Sequence, residues 1–327
     1  MLWLTWRQHR AELLVAALFL ALVAVPLLVT GVAMHDEYRT GGVAACVADP
    51  AAHTGCGPLV DRFLGRYREW GSRLMWAALL PAVVGVFVGA PLLARELEQG
   101  TWRLAFTQSV SRTRWLLTKL ALVGAGVAVF TAAFAALCTW WRGPLDAIGG
   151  RLRSASFLVA VPSLTSAALC AFAVGVLAGV LLRRTVVAMG ATLVVFLTAR
   201  LSMEEYLRPH YREPLVRITD PATRPEATDT GASTDWIVHN SWIDRTGHLL
   251  SADEEAAAVR QVYGGTDAVR GSGTPMEQYL LDHGLRHYTE YHPDSGFWTF
   301  QLVETACFLG AAALLLAATV MTIRRRA

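Results

Sequence analysis

The chain has 327 residues, of which 54% are hydrophobic and 17% are charged, and its formal net charge is +3. Soluble domains carry about 25% charged residues, so this composition argues against an ordinary soluble protein. The charge is also uneven: residues 202–297 contain sixteen acidic residues and eight arginines, a net of −8, which leaves +11 for the rest of the chain. No basic patch accompanies a nucleic-acid-binding motif, so we expect no nucleic-acid partner.

Six apolar segments are long enough to cross a bilayer, which takes roughly 20 residues. In chain order they are Leu13–Met34, Leu74–Ala94, Leu116–Trp140, Phe157–Leu182, Thr185–Leu201 and Phe297–Ile323. Arg183 and Arg184 separate the fourth segment from the fifth, and two arginines at mid-bilayer would be costly, so we predict a tight turn there. The sequence thus predicts an all-α polytopic membrane protein with six transmembrane helices and a small mixed α/β extracellular domain.

Lysine and arginine collect on one side of this predicted topology, as they do on the cytoplasmic side of membrane proteins. With six spans both termini lie on the same side, and we expect that side to be the cytoplasm. Its acidic residues are few, and its basic residues are Arg7, Arg10, Arg95, Arg103, Arg112, Arg114, Lys119, Arg183, Arg184, Arg324, Arg325 and Arg326.

The segments around the first span have distinct characters. Leu2–Arg10 carries tryptophan and arginine at helical spacing, which favours an interfacial helix at the headgroups, with a frayed tail as the alternative. Cys46 and Cys56 share the first outer loop, an oxidising location. The sequence leaves open whether they form a disulfide, because it does not supply the geometry. A short amphipathic helix is predicted at Asp61–Trp70.

Turn residues shape the remaining connections. Arg95–Lys119 joins the second and third spans inside the cell and is predicted to be helical, with a break at Gly100-Thr101. Arg142–Ser156 joins the third and fourth spans outside, and Gly143-Pro144 indicates a turn there. Pro162 is predicted to kink the fourth span near its outer end.

The chain divides into three predicted parts: a membrane portion at 1–201, an acidic extracellular domain at 202–297, and the last span with a basic tail at 298–327. In the extracellular domain, a helix is predicted to continue the fifth span to Arg212. Two strands and two further helices are predicted at Leu215–Ile218, Trp236–Ile243, Asp253–Tyr263 and Pro275–Leu285.

Sequence signatures of catalysis are missing. A Walker-type ATPase site needs a lysine after a glycine-rich turn, but the single lysine of the chain, Lys119, follows no glycine loop. There is no His-Glu-x-x-His pair and no Gly-x-Ser-x-Gly elbow. We therefore predict that the chain is not an enzyme and has no catalytic, cofactor-binding or metal site of its own.

Two other strings suggest a site. Glu204-Glu205-Tyr-Leu-Arg208 is similar to the glutamates and arginine of intramembrane CaaX-type proteases, but it has two intervening residues instead of three, and we favour a solvated helix. His283 and His287 are spaced four apart, which could seat a metal, and His292 follows. Gly284 weakens such a helix and no carboxylate or cysteine completes a known signature, so surface positions are favoured for these histidines.

The inner loop carries the most specific pattern. It reads Arg95-Glu-Leu-Glu98-Gln-Gly100-Thr101-Trp-Arg103, continues to Val110-Ser-Arg112, and leads into the third span. This resembles the type-2 ABC (ATP-binding-cassette) exporter permease family, in which an acidic stretch, Gly-Thr, a short helix and a Val-Ser-Arg-like turn occur at this position. The family often has Pro where Ser109 stands. The large extracellular domain, the opening Trp-Leu-Thr-Trp-Arg-Gln string and Phe297-Trp298-Thr-Phe-Gln301 resemble a subgroup from high-GC bacteria.

The resemblance implies the function. It predicts the permease subunit of an exporter in the bacterial cytoplasmic membrane, with ATP bound and hydrolysed by a separate ABC ATPase subunit and with a second permease copy, identical or paralogous, as partner. It also implies that the inner loop couples the two subunits, with roles for Glu96, Glu98, Gly100, Thr101, Arg103 and Arg112. The alternative is a loop that only anchors charge at the membrane.

Two features lie within the predicted spans. Arg200 and Glu304 are intramembrane charges at similar predicted depth, which makes them functional candidates, and we predict that they contact each other; separate headgroup contacts are the alternative. Gly85-x-x-x-Gly89 and Gly175-x-x-x-Gly179 allow close helix approach, within one chain (the favoured interpretation) or between subunits.

The main rival function is a membrane-anchored sensor or immunity protein that acts through residues 202–297. The inner loop separates the two hypotheses, because a sensor needs no segment for docking an ATPase.

Overall fold

The fold is described from a computed structural model covering residues 2–49, 52–98, 112–221, 234–264 and 274–326. Within these residues, six helical segments are long and apolar enough to cross a membrane. A small antiparallel sheet of three strands accompanies them. The predicted all-α architecture with six membrane helices and a small mixed α/β portion is thereby confirmed.

The six spans follow the predicted order but extend beyond the apolar runs. The first to sixth spans are Leu2–Thr40, Cys56–Glu98, Arg112–Gly149, Val161–Leu182, Thr185–Ser202 and Phe297–Arg326. No break separates Leu2–Arg10 from the first span, so this segment continues the same helix. Arg183 takes a left-handed conformation (φ 52°) between the fourth and fifth spans, which confirms the tight turn.

The second span is irregular along its length. An α-helix at Cys56–Arg73 is followed by a 3₁₀ turn at Leu74–Leu79, an α-helical turn at Leu80–Val84, a π-helical turn at Gly85–Gly89 and a final helix at Ala90–Glu98. The predicted amphipathic helix at Asp61–Trp70 lies within the first of these. π-helical turns are rare and occur mostly as single turns inside helices.

Glycines place this irregular segment against the fourth span. A Cβ on Gly175 would lie 2.4 Å from the carbonyl oxygen of Gly85, and one on Gly89 would lie 2.6 Å from that of Phe172. Both contacts are with backbone atoms, so a side chain at either position would force the helices apart. The two small-residue motifs therefore pack against each other within one chain, as the favoured interpretation held.

The fourth span is the centre of the bundle. Two thirds of its apolar window is buried (67%), against 6% for the first span and 17% for the sixth. The second, third, fifth and sixth spans all pack on it. The poorly buried apolar faces of the outer helices are the surfaces that face lipid or another membrane protein.

The connection between the third and fourth spans differs from the prediction. The expected turn at Gly143-Pro144 is wrong: the third span continues through Pro144 to Gly149. Arg142 stabilises this continuation because it bonds to Asp146 one turn later and to the carbonyl oxygen of Gly71. Pro162 does not kink the fourth span but lies in its first turn, where proline loses no hydrogen bond.

The first outer connection is helical and covalently closed. Val43–Ala48 forms a short helix, and a disulfide joins Cys46 to Cys56 at the start of the next helix. Both cysteines are buried beside Val60 and Phe63. The disulfide therefore lies in a small apolar cluster that joins the short helix to the start of the second span.

The outer sheet lies between the fifth and sixth spans in sequence. Strands β1 (Leu215–Thr219) and β2 (Trp236–Ile243) lie close to the predicted positions. Strand β3 (Arg286–His292), which was not predicted, lies between them and pairs antiparallel with both. Helices Ala252–Tyr263 and Thr274–His283 match the two predicted helices, and they pack through Met276, Leu280 and Val259.

Candidate coupling site and intramembrane charge cluster

The second span ends on the start of the fifth. Glu98 Oε2 accepts hydrogen bonds from the backbone N–H of Thr185 (3.0 Å) and from Thr185 Oγ1 (2.7 Å). The first N–H groups of a helix have no partner within that helix, and a carboxylate there also interacts favourably with the helix dipole. Glu98 thus caps the fifth span from a different helix.

The second span is also joined to the third. Lys119 Nζ lies 2.5 Å from Glu96 Oε1 and 3.2 Å from the carbonyl oxygen of Leu92. Lys119 is buried and its ammonium lies 5.3 Å from the centre of the Trp115 ring. The Lys119 and Glu96 side chains are 9% and 26% exposed, so this ion pair is partly shielded from water. It joins the second and third spans on the two sides of residues 99–111.

The predicted coupling residues divide into three groups. Glu96 and Glu98 are bonded to neighbouring spans, which fits a role in shaping the loop. Arg112 begins the helix of the third span. The segment with Gly100, Thr101 and Arg103 lies outside the described residues, so the coupling role of this set stays a prediction.

A buried ion pair joins the fifth and sixth spans at the opposite end of the bundle. Arg200 Nη1 donates to Glu304 Oε1 at 2.6 Å, and the side chains are 8% and 0% exposed. Ser163 of the fourth span donates its hydroxyl hydrogen to the same carboxylate oxygen (2.8 Å) and accepts from Arg200 Nη2 (3.2 Å). Three spans therefore meet at Glu304.

A second arginine completes this cluster. Arg208 lies just after the fifth span, in a 3₁₀ turn, and its Nε donates to Glu304 Oε2 at 3.2 Å. Its guanidinium stacks over the Phe157 ring at 4.3 Å. The predicted solvated helix is therefore wrong for Arg208, which is 1% exposed. A position eight residues after Arg200 falls near the same helical face, which is the signal that would have pointed to it.

Gln301 extends the polar contacts to the start of the fourth span. Its side-chain oxygen accepts from the backbone N–H of Ser163 (3.1 Å), and its nitrogen donates to the carbonyl oxygen of Phe157 (3.0 Å). These bonds satisfy backbone groups at an interrupted helix start, which would be costly to leave unpaired in a membrane. Sequence reasoning used Gln301 only as part of a family string and missed this role.

The outer portion is attached next to the same cluster. His292, the last residue of β3, contacts the carbonyl oxygen of Pro209 through Nε2 at 3.1 Å. Burial lowers the pKa of His292, since its ring lies against Phe300 and Trp236. The expected surface position is wrong for this histidine, which is 1% exposed. Tertiary packing, which the local sequence does not encode, is the reason.

The other two histidines are not neighbours on a helix. His283 ends a helix and His287 lies in β3, because Gly284 (φ 65°) reverses the chain between them. His287 Nε2 lies 3.2 Å from Glu277 Oε2. Among the described residues, no group of three or more potential ligands could hold a metal ion.

A further ion pair closes the outer end of the bundle. Arg151 donates from its backbone N–H to Asp294 Oδ1 (2.7 Å) and from Nη2 to Asp294 Oδ2 (2.6 Å). Asp294 precedes the sixth span directly, so this contact fixes the position at which that span starts.

The chain matches a known protein family. Residues 17–208 match the family described as ABC-2 membrane transporter related. The match covers more than half of the chain, including the first span from residue 17 onwards, the next four spans, the inner loop and Arg208. No curated protein and no solved structure matched the chain.

Proposed function

The chain belongs to the ABC-2 membrane transporter related family, and from this premise we propose that it is the membrane-spanning subunit of an exporter whose ATP is bound and hydrolysed by a separate ATPase chain. The family makes it a multi-pass membrane protein and a permease component of an ABC transporter. The division of labour fits the sequence, which has no Walker-type lysine.

The observation that carries the proposal is the attachment of the inner loop to three spans. Glu98 caps the fifth span at Thr185, and Glu96 pairs with Lys119 at the start of the third. A force applied to residues 99–111 by an ATPase would act on all three helices together. The fifth span begins at Thr185 and contains Arg200 near its other end, and Arg208 follows shortly after it. The charge cluster therefore lies at the opposite end of the helix that Glu98 caps.

The proposed orientation places both termini in the cytoplasm. The excess of arginine on the side of residues 95–119 and 324–326 supports it. Exposed aromatic residues support a membrane boundary at the opposite end, where Trp76, Tyr206 and Trp298 are 69%, 72% and 59% exposed. Tryptophan and tyrosine concentrate at such boundaries. The bacterial cytoplasmic membrane is the proposed location.

A second permease copy, identical or paralogous, completes the proposed transporter. The glycines of the second and fourth spans are already used within the chain, so the contact between copies must use another surface. The first span offers an apolar one, because Leu18 and Leu22 are 70% and 71% exposed.

The test is co-purification. The tagged protein is isolated in mild detergent and the sample is assayed for an associated ATPase. A variant with Glu98→Arg and Gly100→Pro changes the inner loop, and Glu205→Arg is the matched control, because Glu205 is exposed at the other end of the bundle. The proposal predicts an ATPase with the wild type and with the control, and its loss from the inner-loop variant.

Absence of any ATPase from the wild-type sample would contradict the exporter assignment. The alternative would then be a membrane-anchored sensor or immunity protein that acts through residues 202–297, where the net charge is −8.

A further inference from the structure

The charge cluster around Glu304 has more hydrogen-bond donors than acceptors. Glu304 receives bonds from Arg200, Arg208 and Ser163. The hydroxyl of Ser163 both donates and accepts, so it adds no net acceptor. Glu304 thus accepts hydrogen bonds from two guanidinium groups in a place that is almost completely shielded from water.

Arg208 holds most of the unused donors. Only its Nε makes a hydrogen bond, whereas Nη1 and Nη2 are buried without a hydrogen-bond partner among the described residues. Glu204 Oε1 lies 3.8 Å from Nη1, which balances the charge but is too long for a hydrogen bond. The Phe157 ring covers the face of the guanidinium and leaves the N–H groups at its edge unpaired.

Tyr211 adds a third unused donor next to this arginine. Its hydroxyl oxygen is buried and has no partner among the described residues. Burial is the larger cause and the charge of Glu304 the smaller cause of a raised pKa for this hydroxyl, so it keeps its proton at any physiological pH. A buried donor without an acceptor destabilises the folded state, and here three such donors lie close together.

We propose that Arg208 and Tyr211, beside Glu304, form a binding site for an oxyanion, a phosphate or carboxylate group carried by a lipid headgroup or by a transported molecule. The guanidinium edge presents two parallel N–H donors, the arrangement that binds a carboxylate or phosphate with two hydrogen bonds. Low surrounding polarity strengthens such bonds. Binding at this site does not require the ATPase, so the binding experiment tests this proposal separately from the exporter assignment.

The position along the bundle fits a headgroup or an amphipathic cargo. Arg208 follows directly after Tyr206 and Leu207, which are 72% and 48% exposed. An exposed tyrosine at this point indicates the level of the membrane–water interface. An anion with an apolar tail would place the anion in the cluster and the tail along Leu201 and Leu302, which are 63% and 68% exposed on the fifth and sixth spans.

The experiment measures binding to the full chain in an uncharged detergent. The midpoint of thermal unfolding is followed by tryptophan fluorescence during titration with inorganic phosphate, with sodium chloride at equal ionic strength as the reference. A second titration uses dioctanoyl phosphatidylglycerol, with dioctanoyl glycerol as the reference that has the same tails without the phosphate. The variants are Arg208→Gln and Tyr211→Phe, and Arg217→Gln is the control, because its ion pair with Asp235 lies in the outer sheet.

The proposal predicts a higher midpoint with phosphate or with phosphatidylglycerol than with the matched reference. Tyr211→Phe should weaken the apparent affinity about fivefold, as loss of one hydrogen bond does. Arg208→Gln should abolish the rise of the unfolding midpoint, and Arg217→Gln should behave like the wild type. A response to phosphatidylglycerol alone identifies a lipid-like source, and a response to both identifies the free anion as sufficient. No response to either, or the same response in Tyr211→Phe as in the wild type, would overturn the proposal. Tyr211→Phe keeps the aromatic ring and the ion pairs, so the test does not depend on Arg208→Gln folding.

Discussion

Arg200 and Glu304 are 104 residues apart in the chain, and their Nη1 and Oε1 atoms lie 2.6 Å apart inside the membrane bundle. Glu304 is fully buried and also bonds Arg208. A carboxylate in this position neutralises charge that would otherwise be buried alone, which is one of the most costly arrangements in a protein interior.

Replacing this carboxylate should destabilise the protein strongly. We expect Glu304→Gln to lower the free energy of unfolding by about 3–5 kcal/mol, the usual cost of removing one partner from a buried ion pair. The measurement is thermal unfolding in detergent, with the exposed Glu205→Gln as control. Exchanging the charges, Arg200→Glu with Glu304→Arg, should not restore stability, because Arg208 would then face an arginine. Full recovery of stability in the exchanged variant would contradict this account, and so would equal stability of Glu304→Gln and Glu205→Gln.

The contact between the second and fourth spans makes a second prediction. A Cβ on Gly175 would meet backbone atoms of Gly85 and Ala90 at 2.4 and 2.6 Å, whereas one on Gly190 would meet nothing within 4 Å. Gly175→Ala should therefore destabilise the protein by about 1–3 kcal/mol. Gly190→Ala, also in a span, should be neutral or stabilise it by up to about 1 kcal/mol. Thermal unfolding of both variants decides the matter, and a neutral Gly175→Ala would mean that the helices do not touch there.

The cap on the fifth span can be tested by a double-mutant cycle. Glu98→Ala removes the acceptor of two hydrogen bonds and should cost about 1 kcal/mol, as loss of a helix cap does. Thr185→Val removes only the hydroxyl donor and should cost less. If the two side chains interact, the double variant should be more stable than the sum of the single effects predicts, by about 0.5 kcal/mol. Additive effects on the free energy of unfolding would show that the Glu98 side chain does not interact with the Thr185 hydroxyl.

His292 should make the attachment of the outer sheet sensitive to acid. Burial lowers its pKa below the ordinary value of 6.5, and the nearby Arg212 adds to this. The unfolded chain therefore takes up the proton first as the pH falls, and stability is lost from about pH 6.5 downwards towards the folded pKa. His292→Gln keeps a side-chain donor near Pro209 without titrating.

The measurement is the thermal midpoint of the wild type and of His292→Gln at about pH 7.5 and about pH 5.5, an interval in which histidines are the side chains expected to change charge. The other eight histidines are present in both proteins, so the difference between the two reports on His292. The wild type should lose more stability on acidification than His292→Gln. The exposed His283→Gln is the control and should behave like the wild type. An equal loss in the wild type and in His292→Gln would contradict the assignment.

The membrane architecture followed from the sequence because long apolar runs have few alternatives in a bilayer. Strands β1 and β2 also followed, since their β-branched and aromatic residues lie between turn signals. Strand β3 did not, because Tyr288 and Tyr291 are the only aromatic or apolar-bodied residues in Arg286–His292 apart from its two histidines, and they do not alternate with polar residues. The segment becomes a strand only by pairing on both sides. Such pairing joins residues that are far apart in sequence, which local patterns do not encode.

The candidate site was only partly accessible to sequence reasoning. Arg200 and Glu304 attract attention because charge within a span is rare. Arg208 and His292 do not, because they lie just outside the apolar runs and are buried by neighbouring elements. Lys119 was recognised as a single lysine and as a positive charge of the inner side, but its bond to Glu96 depends on how the second and third spans pack. Burial is a property of the folded assembly, so these partners required coordinates.

The central claim, that the inner loop docks a separate ATPase, is tested most directly by crosslinking in cells. A photoreactive phenylalanine derivative replaces Arg103 in the inner loop, and the same derivative replaces Arg153, at the opposite end of the bundle, as control. The account predicts a crosslinked ATPase subunit from position 103 and none from position 153. A crosslinked ATPase from position 153 alone, or from neither position, would contradict it.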